Sequence, residues 1–388
     1  MYQDELWIKL DQAFRDCLRH KKNKVSTFDF YDEKLSLSLY EIYDELLNYK
    51  YHLEPSSRYI ISEPAWREIY AANFRDRIVQ HFFMNEINDI LETELVDTCC
   101  SCRKHKGTSY ALKCFKEQMT KLSNNYENEV YCLKIDLSGY FMNINRKDIT
   151  SKFKNLINNK YQGQFKKLLI YLCDFLFLSN PASNCKNKFA PQMLKHVPER
   201  RILKPDSDLG MAIGNLPAQA GSNYNLTKFD ADVSKIFPCY VRYVDDIVIL
   251  SNDKQKLKDY FNQIIEMLIK CGQKPNLRKT QILNCKYGVK FLGKITYPSG
   301  VQKPSKQVCA RLLEHARQLK DKENIRERIA SQIGPLKHYN CRKLIEQYIH
   351  IVNEVLNINV YQWPLSNDVV KPLPLGIWDI RRVLYINV

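Results

Sequence analysis

Asp245 and Asp246 are the residues of this chain whose placement most needs a chemical explanation. With Val244 they separate two β-prone runs, Cys239-Tyr240-Val241-Arg242-Tyr243 and Ile247-Val248-Ile249-Leu250, the pattern of a hairpin with two carboxylates at its tip. Adjacent ionised carboxylates repel, and one is driven toward its neutral form unless a cation lies between them. Asp-Asp pairs also occur in ordinary polar turns. Here both flanking runs are apolar, so the hairpin belongs to a core and its charge needs compensation. Asp136, which ends the buried-strand pattern Tyr131-Cys132-Leu133-Lys134-Ile135, is the candidate third carboxylate. Oxygen donors of this kind suit Mg²⁺, which keeps waters and completes its shell with phosphates.

The surrounding elements follow from periodicity. Helical spacing of apolar residues predicts helices over 35–47, 73–91, 148–157, 164–178 and 254–271, and one long helix over 215–233 after a tight turn at Gly214. Tyr59-Ile60-Ile61 reads as a short strand, residues 179–205 as a loop or short hairpin, and Lys290-Phe291-Leu292-Gly293 as the start of a strand pair turning at Pro298-Ser299-Gly300. Residues 303–350 are helical and basic, and the tail 363–388 carries several prolines. The fold class is therefore α+β, a sheet with helices on one face and separate helical ends.

The 388 residues are 45% hydrophobic and 26% charged, with 12 glycines and no linker-like stretch, which suits two or three units sharing a core. The net charge of +16 is spread along the chain and favours a polyanionic partner, nucleic acid first and an anionic membrane second. The acidic N-terminus is not a signal peptide and no apolar run spans a bilayer. Thirteen cysteines without a secretory signal point to reduced thiols and a cytoplasmic setting.

Four motifs in order carry a family resemblance. Tyr243-Val244-Asp245-Asp246 resembles the Y-x-D-D signature of reverse transcriptases, and Asp136-Leu137-Ser138-Gly139-Tyr140-Phe141 their first palm motif. Lys279, in Asn276-Leu277-Arg278-Lys279-Thr280, resembles the lysine motif that follows, and Phe291-Leu292-Gly293 the F-L-G primer grip. The resemblance implies a right-hand polymerase fold with fingers, a palm of antiparallel sheet backed by helices, and a helical thumb. On that frame residues 1–54 are an N-terminal helical extension and 55–130 the fingers. Residues 131–300 are the palm, with a fingers-like insertion near 150–210, and 301–388 the thumb and tail. It further implies two Mg²⁺ ions, for which Mn²⁺ can substitute, held by Asp136, Asp245 and Asp246. Spaced about 3.5–4 Å apart, they would activate a 3′-hydroxyl and stabilise the pyrophosphate leaving group. Phe141 becomes a steric gate against a ribose 2′-hydroxyl, with plain core packing as its other reading. Arg67 becomes the fingers arginine that clamps the incoming triphosphate, a task suited to a bidentate guanidinium. Arg58 is a weaker candidate for that pocket, Lys279 is placed near the pyrophosphate, and Arg75 contacts nucleic acid.

Ala212-Ile213-Gly214-Asn215-Leu216-Pro217-Ala218-Gln219 narrows the resemblance. Most reverse transcriptases carry Q-G-x-x-x-S-P here. This chain has Ile213 in place of Gln, Gln219 in place of Pro and Ala218 in place of Ser, which resembles the reverse transcriptases of diversity-generating retroelements, encoded by bacteria, archaea or phages. The resemblance implies copying of a template-repeat RNA into cDNA from dNTPs, with misincorporation at adenine for mutagenic retrohoming, and a pentameric accessory variability protein as partner. An aliphatic Ile213 beneath the nascent base pair removes a polar check worth about 1–3 kcal/mol, with Ile213, Gln219 and Arg67 involved. An antiphage-defence or group II intron-like reverse transcriptase is the alternative, and a catalytically silent nucleic-acid-binding protein a more distant one.

Three features remain. Cys99, Cys100, Cys102 and His105 could form half of a zinc site but lack a second ligand pair, so semi-buried thiols are the default. Lys306, Arg311, Arg317, Lys320, Lys322, Arg326 and Arg328 offer a basic face to a template–primer duplex, although acidic residues interleave with them. The acidic stretches 86–97 and 4–16 are candidate docking sites for the accessory protein.

Overall fold

The computed structural model describes residues 2–19, 34–63, 65–319, 325–336 and 341–356. Contacts divide it into two compact units, Met1–Phe115 with Leu133–Ile282, and Lys116–Cys132 with Leu283–Val388. The tail 363–388, whose role the sequence left open, lies outside the described residues.

The first unit opens with helices α1 (Tyr2–Leu18) and α2 (Lys34–Leu47), then the antiparallel hairpin β1 (Ser56–Ile61) and β2 (Arg67–Ala71). Helix α3 (Phe74–Glu92) starts where Asn73 accepts from the Arg75 amide, and α4 (Thr108–Ser123) follows. Strand β3 (Tyr131–Ile135) leads to helices α5 (Arg146–Lys160) and α6 (Lys166–Cys173). Asn145 caps α5 through the Lys147 and Asp148 amides. Helix α6 ends in a π turn, Asp174–Leu178, which sets Phe177 against Phe153 with centroids 4.1 Å apart.

Residues 179–205 are neither plain loop nor self-paired hairpin. Strand β4 (Cys185–Asn187) adds in parallel to β1, and two 3₁₀ turns follow at Pro191–His196 and Glu199–Arg201. The expected single helix over 215–233 is two, α7 (Leu216–Asn225) and α8 (Thr227–Ile236), broken at the buried Leu226. The break lets Asn225 donate to the Cys271 carbonyl instead of serving its own helix. Strands β5 (Tyr240–Tyr243) and β6 (Asp246–Ser251) form the expected hairpin. The helix expected over 254–271 also breaks, at Tyr260, into α9 (Lys254–Asp259) and α10 (Phe261–Lys270); the Tyr260 ring packs edge-on to Phe237. Strand β7 (Gln281–Asn284) completes a four-stranded sheet of order β5-β6-β3-β7.

Val241, Ile247, Val248 and Ile249 are fully buried, so β5 and β6 read as continuous apolar runs because both faces of the sheet are covered. The helical core of this unit packs α1, α2, α3, α5, α6 and α7 around residues such as Leu10, Phe82, Phe83, Phe153 and Phe165.

The second unit carries the three-stranded meander β8 (Val289–Phe291), β9 (Lys294–Thr296) and β10 (Gln302–Pro304). Helices α11 (Lys306–Arg317), α12 (Ile325–Ile333) and α13 (Arg342–Leu356) pack on their own core, which includes Leu312, Ile329, Tyr348 and Val352. All thirteen cysteines are free thiols, and among the described residues no helix is long and apolar enough to cross a membrane.

Candidate active site

The two-residue loop Val244-Asp245 joins β5 to β6 with Tyr243 opposite Asp246. Val244 takes φ 57° while Asp245 does not enter the left-handed region, the asymmetry of a hairpin turn that favours glycine at its first position. A β-branched side chain there costs about 1–2 kcal/mol, and the surroundings hold it. The Val244 amide donates to Ser101 Oγ at 3.2 Å, and its carbonyl accepts from Arg242 Nη1 at 3.2 Å. Ser101 is itself locked to Asn223, donating to Oδ1 at 2.8 Å while its carbonyl accepts from Nδ2 at 2.7 Å.

Arg242 is fully buried and bidentate to the fully buried Asp230, with Nε to Oδ1 at 2.8 Å and Nη2 to Oδ2 at 2.6 Å. Tyr240 donates to the same carboxylate at 2.5 Å. Thr98–Cys100 flank β5 through the Arg242 amide and carbonyl. An ion pair this deep is costly to desolvate, and its partners here satisfy the remaining donors. Nothing in the sequence alone indicates this clamp beyond an arginine inside an apolar strand, which had to find a counter-charge; Asp230 lies on a different element, and Ser101 and Asn223 carry no motif.

Asp136 leaves β3, the neighbour of β6 in the sheet. Its carbonyl accepts from Asn276, and Ser138 donates to Lys274, so the segment is zipped to 274–276. Gly139 turns the chain with φ 61°, and a Cβ there would lie 2.6 Å from the Arg200 carbonyl oxygen. Tyr140 is buried and donates to the Ser222 carbonyl. Phe141 stands edge-on to Tyr140 and leans on the helical core.

These elements bring the three carboxylates within electrostatic reach of one another. Asp245 is solvent-reached at the tip, and Asp136 and Asp246 are half-buried. Crowding by protein, then the charges of Asp246 and Asp136, push the Asp245 carboxyl up to about 6; its own backbone hydrogen bond and Arg201 pull the other way. Because water still reaches this side chain, the like charges are the firmer part of the effect. Among the described residues no three or more His, Cys, Asp or Glu side chains form a group placed to hold a metal ion. An open set of hard carboxylate oxygens under mutual repulsion nonetheless fits Mg²⁺, whose shell is completed by water and phosphate.

The other expected residues lie on separate elements. Arg67 begins β2, half-buried, with its Nε buried and without a hydrogen-bond partner. The Ile213 carbonyl accepts from the Tyr70 amide at 2.9 Å, tying that segment to the same strand. Gly214 has φ 124°, and a Cβ there would meet the Tyr70 oxygen at 2.6 Å. Gln219 is half-buried on α7. Lys279 is exposed in the turn after Asn276. Arg58 is spent on the buried Glu68, which also accepts from Leu203 N. Arg75 is likewise committed, paired with Glu45 and set over the Tyr51 ring.

In the second unit, Phe291 is buried and Leu292-Gly293 form a two-residue turn with φ 46° and 79°. That is the type I′ pattern, and the Gly293 carbonyl accepts from Ser305, the cap of α11. Cys99 and Cys100 are buried, and Cys99 Sγ accepts from Arg242, which leaves no support for a zinc half-site. Many acids of 4–16 and 86–97 already have partners: Asp11 pairs with Arg15, Glu86 with Lys9, Glu92 with Arg103 and Asp97 with Lys106.

Residues 61–296 match the family model described as reverse transcriptase (RNA-dependent DNA polymerase). The chain belongs to the reverse transcriptase family. Members of this family are nucleotidyltransferases that use divalent metal ions. A comparison with curated proteins finds no match. Among solved structures, apo telomerase from Candida tropicalis is 13% identical, covers 78% of this chain and 62% of its own, and has a TM-score of 0.44. A form of it truncated from its C-terminal domain is 14% identical, with 65% and 55% covered and a TM-score of 0.46. Telomerase from Candida albicans in complex with a TWJ fragment of telomeric RNA is 12% identical, with 86% and 66% covered and a TM-score of 0.43. The chain thus spans less than two thirds of each of these structures, and the family model alone identifies this reverse transcriptase.

Proposed function

We propose that this reverse transcriptase copies a template RNA into cDNA from dNTPs at Asp136, Asp245 and Asp246, within a diversity-generating retroelement. The observation that carries the polymerase reading is the neighbouring of β3 and β6, which brings the Asp136 charge to bear on Asp245 in a chain of this family. Mg²⁺ held by the three carboxylates would supply positive charge to the attacking and leaving oxygens. The protein's own part is to hold Asp245 and Asp246 on a clamped turn, to present Arg67 to the triphosphate, and to set Phe141 as the steric gate. Residues 55–130 act as fingers, 131–300 as palm and 301–388 as thumb.

The retroelement reading rests on Ile213, Ala218 and Gln219 and is supported by the bond from Tyr70 to the Ile213 carbonyl, which joins the aliphatic residue to the strand that starts at Arg67. Loss of a polar check there lowers fidelity at template adenine. A pentameric accessory protein, RNA and a cytoplasmic setting complete the reading.

The test is Mg²⁺-dependent primer extension on a defined RNA, with Asp245→Ala as control, followed by sequencing of the cDNA. Extension that survives the substitution would overturn the carboxylate assignment. An error rate at adenine equal to that at the other bases would overturn the retroelement role while leaving the polymerase intact.

A further inference from the structure

Arg201 belongs to no recognised motif, yet two features bring it to the active site. Its 3₁₀ turn, Glu199–Arg201, lies on the Asp136 motif, since the Arg200 carbonyl fills the space beside Gly139. Its Nη1 donates to the Trp66 carbonyl at 3.2 Å, one residue before Arg67. Arg201 is half-buried and its guanidinium makes no second hydrogen bond to the described residues, so most of its five N–H donors are unspent. Arg67 beside it has a buried Nε without a partner. Unsatisfied buried donors are rare in folded proteins and call for a missing acceptor.

We propose that Arg201 is a second guanidinium ligand of the incoming nucleotide's triphosphate, acting with Arg67 beside the turn that joins β1 to β2. The proposal rests on the carboxylates being the polymerase centre. The acceptor has to be anionic, multidentate and close to the Asp136–Gly139 turn. A nucleoside triphosphate meets all three conditions, and a planar fork binds its oxygens in pairs. The competing role for Arg201 is a latch that only ties the inserted 3₁₀ turn to the Trp66 carbonyl.

Primer extension on a defined RNA, with dNTP concentration varied, separates the two. Arg201→Ala is expected to raise KM for dNTP about 10- to 100-fold. The concentration of inorganic pyrophosphate giving half-inhibition should rise in parallel, and template–primer affinity by fluorescence anisotropy should stay unchanged. Arg201→Gln keeps a donor for the Trp66 carbonyl and removes the charge, so it should behave like Arg201→Ala, whereas Arg201→Lys recovers part of the affinity. A glutamine variant with wild-type KM and wild-type pyrophosphate inhibition would show a latch and overturn the proposal. Should turnover be too low to measure, the dNTP-dependent rise in Tm reports binding directly, and an equal rise in wild type and Arg201→Gln refutes the role. Failure of the underlying reading looks different: Asp245→Ala would then extend primers.

Discussion

Ser101→Ala removes one oxygen from a fully buried position, and its consequences can be worked from the clamp around Val244. The hydroxyl donates to Asn223 Oδ1 and accepts from the Val244 amide, so the substitution strands an acceptor and a donor together. Each unsatisfied group costs about 1–3 kcal/mol, and the pair about 2–6 kcal/mol. For a protein of this size that lowers Tm by about 3–7 °C. The larger effect is on chemistry. Val244 sits in a left-handed conformation that disfavours it by about 1–2 kcal/mol, and one of the two bonds that hold it there is gone. Relaxation of the turn displaces Asp245, and a misplacement near 1 Å costs on the order of 10²-fold in rate. The assay is primer extension at saturating dNTP, with a Mg²⁺ titration and a melting curve. We expect kcat to fall about 10²-fold and the Mg²⁺ requirement to rise. Adding Val244→Gly, which tolerates the turn without help, should restore roughly tenfold of the lost rate. If Ser101→Ala melts earlier but keeps kcat within about twofold, the clamp is only structural and the reasoning fails.

Two further outcomes follow from groups outside the carboxylate centre. Asp76 accepts from Tyr51 and the Glu54 amide, but burial outweighs these bonds and pushes its carboxyl from 3.8 to about 6. The folded state therefore holds this proton more tightly than the unfolded chain, so its contribution is full below pH 4 and is lost as pH rises through about 6; the loss is about 3 kcal/mol. Urea melts at pH 4 to 7 should show Asp76→Asn flattening this slope, and an unchanged slope counts against the assignment. Gly214→Ala places a methyl 2.6 Å from the Tyr70 oxygen at φ 124°, so at least about 2 kcal/mol should be lost in a thermal melt; an unchanged Tm would mean the Ile213 segment can leave β2 without penalty.

Much of the site was readable before any coordinates, and for local reasons. Asp245-Asp246 between two apolar runs specifies a hairpin tip because strand propensity and turn length act over a few residues, and β5 and β6 pair in that register. The helix breaks at Leu226 and Tyr260 were not readable, since both positions keep helical apolar spacing and the reasons for breaking are distant: Cys271 for Asn225, Phe237 for Tyr260. Residues 179–205 look like loop because β4 is three residues long and gains its stability from β1, more than a hundred positions earlier. Arg75 reads as a nucleic-acid contact because it is a basic residue among others; its pairing with Glu45 on a separate helix is a contact the chain order does not show.

The amino-acid sequence by itself determined the family and the chemical inventory: carboxylates at Asp136, Asp245 and Asp246, an arginine at 67, an aromatic at 141 and an aliphatic at 213. Those are properties of side chains and short spacings, which survive without a fold. Only the tertiary structure decided how that inventory is held and which charges remain available. The Asp230–Arg242 pair, the Ser101–Asn223 lock and the delivery of Arg201 to Trp66 each join residues from elements that are separate in the chain. Burial makes such contacts decisive, because a donor or charge removed from water must be matched by whichever partner the fold brings within reach.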